Sequence, residues 1–417
     1  MAFQQGLSGL NSASKALDVV SNNVANSSTV GFKSANAHFA DVYAASLSGG
    51  GASQVGIGVS IGGIQQQFTQ GNITSTSNPL DIAINGGGFF KMNRDNIVTY
   101  TRNGQFHTDK SGYIVNDQGF QLMGYSATPT GTIVASTPVP IHIDKSNLAP
   151  QPTGAALGGN ATAVLNLDSR ATPPTITPFN FQNPLSYNYS TAMTVYDTLG
   201  NDHAMTLYFV KTATVSPATW NVHATLDGAN PVAMANLTFN SNGQLTSAVP
   251  TTLPTTWALT NGATTPMGSG LPNWMIDFTG TTSYGGVSTV NSTTQGGYAQ
   301  GALSGISVSA DGIIKGNYSN GQTKSLGQVT LTDFPNPNGL VSMGNNQWQG
   351  TSASGDGLDG APGAGSRGML QATAIEESNV DLTAELVNMI TLQRNYQSNA
   401  QSIKTQDQIL QTLVNLR

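Results

Sequence analysis

Cysteine is absent from the 417 residues, so neither a disulfide nor a thiolate metal site is available in any compartment. Charge is scarce: Asp, Glu, Lys and Arg make up 9% of the chain, against about 25% in an ordinary globular protein. Lys and Arg are missing altogether between Lys211 and Lys315, and the formal net charge is −6. Nucleic acid and anionic membrane both demand a basic patch, so neither is an expected partner. No run approaches the ~20 apolar residues of a membrane span. The opening residues Met1-Ala2-Phe3-Gln4-Gln5 lack the basic and apolar regions of a cleaved leader. Yet a composition poor in Lys and Glu and rich in Thr, Asn and Gly resembles that of bacterial surface proteins, so export without a cleaved signal peptide is expected.

Glutamate is confined to one place. Glu376, Glu377 and Glu385 all lie in the last 42 residues, which also lack Pro and Gly. Helix formers are therefore concentrated at the C-terminus. From 381 to 417 the residues Leu382, Leu386, Met389, Tyr396, Ala400, Ile403, Leu410 and Val414 recur in steps of three and four, a heptad seam. At the other end Phe3, Leu7, Leu10, Leu17 and Val24 follow the same steps, with small Ser14 and Ser21 filling the gaps. Ile390, Ile409, Leu413 and Leu416 lie off the main C-terminal stripe and give that helix a second apolar face. A helix gains most of its stability by packing such a stripe, and the shorter first helix cannot cover the whole of the longer second one. Copies of the same chain are the economical partners, and a head-to-tail contact that does not close builds a filament.

The length suits several domains. Between the helices, short alternating runs are punctuated by Asn103-Gly104, Ser111-Gly112, Asn242-Gly243, Asp311-Gly312 and Asn320-Gly321, which are hairpin signals. The expected fold is multidomain and mainly β, with terminal α-helices paired as a coiled coil. Helix 1–24 pairs with 375–417, and 25–70 with 355–374 form connectors. Residues 71–144 plus 298–354 form an inner β domain, into which 145–297, rich in Thr, Pro and Ala, is inserted as an outer β domain. Strand-like runs in the insert include Met193-Thr-Val-Tyr196, Met205-Thr-Leu-Tyr-Phe-Val210 and Trp274-Met-Ile-Asp-Phe278.

Chemical motifs are weak. Gly58-Val59-Ser60-Ile61-Gly62 has the spacing of a nucleophile elbow, but no helical repeat follows it and no βαβ alternation surrounds it. Asn85-Gly86-Gly87-Gly88-Phe89-Phe90 lacks the Lys-Ser/Thr of a phosphate loop and reads as a tight turn. Gly355-Asp356-Gly357-Leu358-Asp359-Gly360 occurs once, whereas calcium nonapeptides act by stacking. His38, His107, His142, His203 and His223 have no ligand spacing. No catalytic residue, cofactor or metal is expected, and the chain is read as a structural protein.

Three segments are more specific. Directly after the first heptad helix, Ser21-Asn22-Asn23-Val24-Ala25-Asn26-Ser27-Ser28-Thr29-Val30-Gly31-Phe32-Lys33 closely resembles the N-terminal signature of the flagellar rod and hook family. Glu377-Ser378-Asn379-Val380-Asp381-Leu382, continuing through Glu385 to Ala400, resembles the family's C-terminal helix, with Ser378 or Asn379 the expected N-cap and Asp381 near the positive end of the dipole. Pro79-Leu80-Asp81-Ile82-Ala83-Ile84 through Tyr100-Thr101-Arg102-Asn103-Gly104-Gln105-Phe106 resembles the shared β core. Length and the large insert resemble hook-type rather than shorter rod-type members.

The resemblance implies an extracellular, curved, flexible tube outside the bacterium that acts as a universal joint, passing torque from rod to filament. It implies type III export and contacts with the distal rod protein, the hook cap, the hook–filament junction protein and the export apparatus. A distal rod subunit is the alternative within the family, and a β-rich surface adhesin the alternative outside it.

Overall fold

The computed structural model describes residues 2–42, 56, 58–154, 161–213, 217–247, 251–252, 263 and 275–415. Helix α1 spans Ala2–Ala25 and helix α2 spans Leu382–Asn415, and the two pack against each other. Among the described residues between them there is β-strand, turn and loop, with two single-turn 3-10 helices. Among the described residues no helix is long and apolar enough to cross a membrane. The chain divides into two compact units, one of residues 1–145, 305–317 and 323–417, the other of residues 146–304 and 318–322.

In the first unit α1 leads into an antiparallel ribbon of Ala35–Val42 with Gly58–Gln66. The expected connector 25–70 is therefore partly regular structure. Neither strand has a buried residue, so its sequence never acquires the alternation by which a strand is recognised. Ser60 sits within this ribbon, opposite Ala40, and not at a strand-to-helix turn.

The rest of the unit is sheet. Phe89–Arg94 and Ile97–Thr101 form a hairpin whose two turn residues, Asp95 and Asn96, have φ of 52° and 65°. Both angles are those of a two-residue type I′ connection, which Asn and Asp tolerate best among residues with a side chain. Outer neighbours are Gln121–Ser126 on one side and Gln347–Gln349 on the other. The glycine run at 86–88 is the turn joining the strand Ile82–Asn85 to Phe89–Arg94. Gly104 departs from its expected hairpin role: it passes under strand Ile82–Asn85, where a Cβ would collide with the Ile82 carbonyl oxygen. Phe89, Phe334, Leu340 and Trp348 form a core with Phe68 and Tyr100 packed on it, most of the rings meeting edge to face at centroid distances of 4.7–6.0 Å. The Asp359 carboxylate is held by Lys91 and Thr332.

Two short pairings bind the ends of the chain to this unit. Ile73–Ser75 pairs with Ala374–Glu376, and Ile82–Asn85 with Met369–Ala372. Residues 375 and 376 are thus strand, not the first turn of the C-terminal helix.

The second unit contains a four-stranded antiparallel meander, Tyr189–Tyr196, Asp202–Ala213, Ala218–Leu226 and Ala229–Phe239. A second sheet places Ala161–Asn166 between Thr289–Thr294 and Met275–Asp277. Strict alternation of buried and half-buried residues along Ala161–Asn166 marks a strand with one face in a core. That core gathers Leu165, Phe209, Trp220, Leu237, Ile276 and Phe278 from both sheets. Trp274, an expected strand residue, lies outside the described residues.

One histidine ties two turns of the meander together. His203 Nδ1 lies 2.6 Å from Asp227 Oδ2, and Nε2 lies 3.3 Å from Asp197 Oδ2. Burial alone would lower its pKa, but the hydrogen bonds and charges of Asp227 and Asp197 outweigh it and raise the imidazole above 6.5. A raised folded-state pKa contributes stability that is complete below the unfolded value and is lost as pH rises through the folded value. His223, whose pKa burial lowers, acts in the opposite direction, so the expected signature is a difference between proteins: from pH 8.5 to pH 6 the melting temperature of the parent should shift upward relative to that of His203→Gln. Calorimetry of both proteins across this range is the check, and an equal slope in the variant would assign the effect elsewhere.

Candidate assembly site

The segments that carry the family resemblance converge on one carboxylate. Glu376, last residue of the strand Ala374–Glu376, is fully buried. Its Oε1 accepts from Lys33 Nζ at 2.6 Å and from the Gly71 N–H at 2.9 Å, and its Oε2 accepts from Arg102 Nη1 at 3.2 Å. Lys33 also donates to the Thr69 carbonyl oxygen at 2.7 Å, and Arg102 to that of Gly86 at 2.8 Å. The Arg102 guanidinium stands 5.4 Å from the Phe89 ring centroid. Two buried cations thus share one anion, and Arg102 Nε finds no hydrogen-bond partner. Burial pushes both the Lys33 ammonium and the Arg102 guanidinium below their usual values, against the pull of Glu376. Backbone geometry completes the node. The Gly31 N–H donates to the Glu376 carbonyl oxygen at 2.8 Å, and Gly31 has φ +71° with the Asn103 nitrogen 2.6 Å from where a Cβ would stand.

The motif asparagines are clamps. Asn23 is fully buried; its amide donates to the Ala35 carbonyl oxygen and to Glu385 Oε1, both at 2.9 Å, while its oxygen accepts from the Ala35 N–H at 3.0 Å. One side chain therefore joins the end of α1, the start of the ribbon and the first turn of α2. Asn379 does the same work from the other end, accepting from the Ser34 N–H and donating to the Gln67 carbonyl oxygen, each at 2.7 Å. Asn26 bonds back to Asn22 at 2.9 Å and receives Thr29 Oγ1 at 3.2 Å, closing the turn beyond Ala25. Phe32 and Val380 are half-buried beside these contacts.

The N-cap of α2 differs from expectation. Asp381 Oδ1 accepts from the N–H groups of Thr383 at 2.9 Å and Ala384 at 3.1 Å, so Asp381 is the cap. Asn379 is spent on the ribbon, and Ser378 Oγ accepts only from the Val380 N–H at 3.3 Å.

The faces of the helices also differ from the expected seam. What α1 buries is a row of small residues, Gly6, Ala13 and Ala16, followed by Val19, Val20 and Asn23. Close approach explains it: a Cβ on Gly6 would come within 3.0 Å of Ile403 Cγ1, and one on Gly9 within 2.9 Å of the Asn399 side chain. Leu10, Leu17 and Val24 are half-buried, while Phe3 and Leu7 are exposed at 45% and 44%. On α2, Met389, Ala400 and Ile403 are half-buried, but Leu382, Leu386, Tyr396 and Leu410 are exposed, together with Val387, Ile390 and Ile409 outside the main stripe. Val414, Leu413 and Leu416 have side chains outside the described residues.

Comparison with known proteins accounts for the whole length. Residues 3–33 match the family model "Flagella basal body rod protein", 83–155 the "Flagellar hook protein FlgE/F/G D1 domain", 166–298 the "Flagellar basal body protein FlaE D2 domain" and 371–416 the "Flagellar basal body rod FlgEFG protein C-terminal". Flagellar hook protein FlgE of Escherichia coli K12 is 44% identical over 424 residues, covering 100% of both chains. That of Salmonella typhimurium LT2 is 45% identical over 427 residues with the same full coverage, and that of Borreliella burgdorferi 31% over 452, covering 100% of this chain and 99% of the relative. The chain belongs to the flagellar hook protein FlgE family. The solved Helicobacter pylori flagellar hook protein FlgE2 shares the fold at 15% identity, with a TM-score of 0.51 over 73% of this chain and 100% of that one.

Both terminal family matches end or begin beside the ionic node, Lys33 closing the first and Glu376 lying just inside the last. A hook subunit with Glu376→Gln keeps the shape of this site but leaves two buried cations without an anion, which should cost roughly 3–5 kcal/mol. Replacing the whole cluster, Lys33→Met and Arg102→Met with Glu376→Leu, should recover a large part of that loss. Urea unfolding of the three proteins measures it, and a stable single mutant would show that the node contributes little.

Proposed function

We propose that this chain is the structural subunit of the flagellar hook, polymerising with copies of itself into a curved, flexible tube that passes torque from rod to filament. The uncovered apolar surface of α2 supports this reading most directly. At 1.5 Å per residue, the 24 residues of α1 reach about 36 Å and the 34 of α2 about 51 Å, so the partner within the chain is too short. It is also placed on one side only, leaving Leu382, Leu386, Val387, Ile390, Ile409 and Leu410 between 44% and 58% exposed. Side chains of this size gain roughly 1.5–3 kcal/mol each on full burial, so neighbouring subunits have a strong reason to seat there. We read Phe3, Leu7, Leu10, Leu17 and Val24 with the α2 seam as inter-subunit residues, packed as a coiled-coil-like inner layer.

The domain reading follows. Terminal helices line the tube, the ribbon and residues 355–374 connect them outward, 71–144 with 298–354 form the inner β domain, and 145–297 the outer one. The division into compact units near residues 145 and 304 supports that last boundary. Outer surfaces that are poor in charge suit a bending joint, because contacts that slide need not break ion pairs. A role in the polymer, with no catalytic step, and export without a cleaved leader belong to the same reading. So do contacts with the distal rod, hook cap and junction proteins.

Assembly should depend on the helices. Leu386→Asp and Leu410→Asp each place a charge on surface that must leave water, costing on the order of 3 kcal/mol per site. Sedimentation under polymerising salt should show tubes for the parent and none for either variant, with circular dichroism confirming a folded monomer in both. Tubes formed by both variants would move assembly to the β domains.

A further inference from the structure

The second unit holds a cavity that the hook role leaves unused. It measures about 360 Å³ and lies at the turn after strand Ala229–Phe239, walled by Ser169, Lys211, Asn242, Ser283 and Tyr284. Such a volume falls in the lower part of the ~300–1,000 Å³ range of small-molecule sites.

Its polar groups are underemployed. Lys211 is 2% exposed, yet its ammonium makes one hydrogen bond, to the Ser169 carbonyl oxygen at 2.6 Å, and lies 5.5 Å from the Trp220 ring centroid. No carboxylate among the described residues forms an ion pair with it. Asp168, whose charge acts on Lys211, is chelated by Arg170, through Nε to Oδ1 at 3.0 Å and Nη2 to Oδ2 at 2.9 Å. A buried ammonium with three protons and one acceptor is costly unless something negative answers it. Ser283 Oγ is a second such group, in a residue 6% exposed, with no hydrogen-bond partner. Asn240 is spent within the turn, where its oxygen accepts from the Asn242 and Gln244 N–H groups at 2.9 and 3.0 Å.

The wall itself is built for close approach. Gly243 has φ +73°, and a Cβ there would stand 2.5 Å from the Ser283 carbonyl oxygen and 2.8 Å from the Tyr284 ring. Glycine therefore lets the turn close against Ser283 and Tyr284. Tyr284 lines the cavity and remains 51% exposed, so its ring is open to a ligand.

We propose that this cavity binds an acidic monosaccharide, its carboxylate on Lys211 Nζ, a hydroxyl on Ser283 Oγ and its apolar face on the Tyr284 ring. A carboxylate supplies the missing counter-charge, and the hydroxyl-rich wall around it accepts the rest of a sugar. Charge-assisted bonds to a buried ammonium are the strong component, so the carboxylate sets affinity and the neutral contacts set shape.

Titration calorimetry of the full-length monomer with glucuronate, and with glucose as the uncharged control, tests this. Glucuronate should bind saturably and glucose should not. Lys211→Met should weaken glucuronate at least about tenfold and Ser283→Ala about three- to tenfold, with circular dichroism confirming a native fold in both. Should Lys211→Met fail to fold, Ser283→Ala and Tyr284→Ala decide, and unchanged affinity in both overturns the proposal. No binding of glucuronate, equal binding of glucose, or parental affinity in a folded Lys211→Met also overturns it. If the monomer binds no glucuronate but Lys211→Met impairs polymerisation, the anion is a carboxylate of a neighbouring copy and the saccharide site is wrong.

Discussion

Everything in the first unit hangs on a single buried carboxylate. Glu376 is reached by Lys33 from 343 positions earlier and by Arg102 from 274 positions earlier. The chain leaves the α1 end, builds sheets and an entire second unit, and returns to this point before α2 begins. An ion cluster of this kind adds little net stability over a well-packed apolar one, because desolvation consumes most of the attraction. Its value is geometric. A carboxylate that must satisfy an ammonium, a guanidinium and the Gly71 N–H at 2.6–3.2 Å tolerates little displacement of any of them. Asn23 and Asn379 add the same kind of constraint, each joining backbone from the ribbon to one helix end.

Such nodes explain which parts of the structure were legible beforehand. Heptad spacing identifies both helices, since the period depends only on local sequence, although the expected C-terminal segment begins at 375 and the helix begins at Leu382. It did not identify the buried face. The large residues Phe3 and Leu7 suggested a seam, whereas the chain buries Gly6, Ala13 and Ala16, because small residues let α1 and α2 approach closely at Ile403 and Asn399. In a subunit read as one member of a polymer the largest apolar side chains stay exposed, so the usual inference from size to burial inverts. The ribbon was hidden for the opposite reason, as neither of its strands has a buried side.

The ionic node was half legible. Lys33, Asn23, Asn379 and Asp381 stood out through the family pattern, but Glu376, Glu385 and Arg102 were not singled out as site residues. Their one available signal was scarcity: in a chain with 9% charged residues, each charge placed beside apolar neighbours needs a partner. No spacing rule connects positions more than two hundred residues apart. The cap at Asp381 was misassigned for a related reason, since Asn379 is a good cap by type and only the tertiary contact to Ser34 and Gln67 removes it from the helix.

Rigid nodes and uncovered helices belong together mechanically. A joint that bends must let neighbouring subunits shift, while each subunit transmits torque without deforming. In the proposed packing, contacts between copies through exposed apolar side chains such as Leu386, Ile390 and Leu410 would be non-directional, so a sliding displacement would change area gradually. Contacts inside the first unit are directional and short, so displacement there breaks hydrogen bonds outright. Hydrogen bonds at Asn23, Asn379 and Glu376 therefore fix α1, the ribbon and α2 within the subunit, whereas the proposed contacts along the exposed face of α2 would be the ones free to slide. The anchors Asn23, Asn379 and Glu376 lie at the helix ends next to the β structure, and exposed apolar side chains run along α2 from Leu382 and Leu386 beside those anchors to Ile409 and Leu410 near its far end. Moving the anchors to the far end of α2 would reverse the arrangement, stiffening the shared layer and loosening the subunit that has to carry the load.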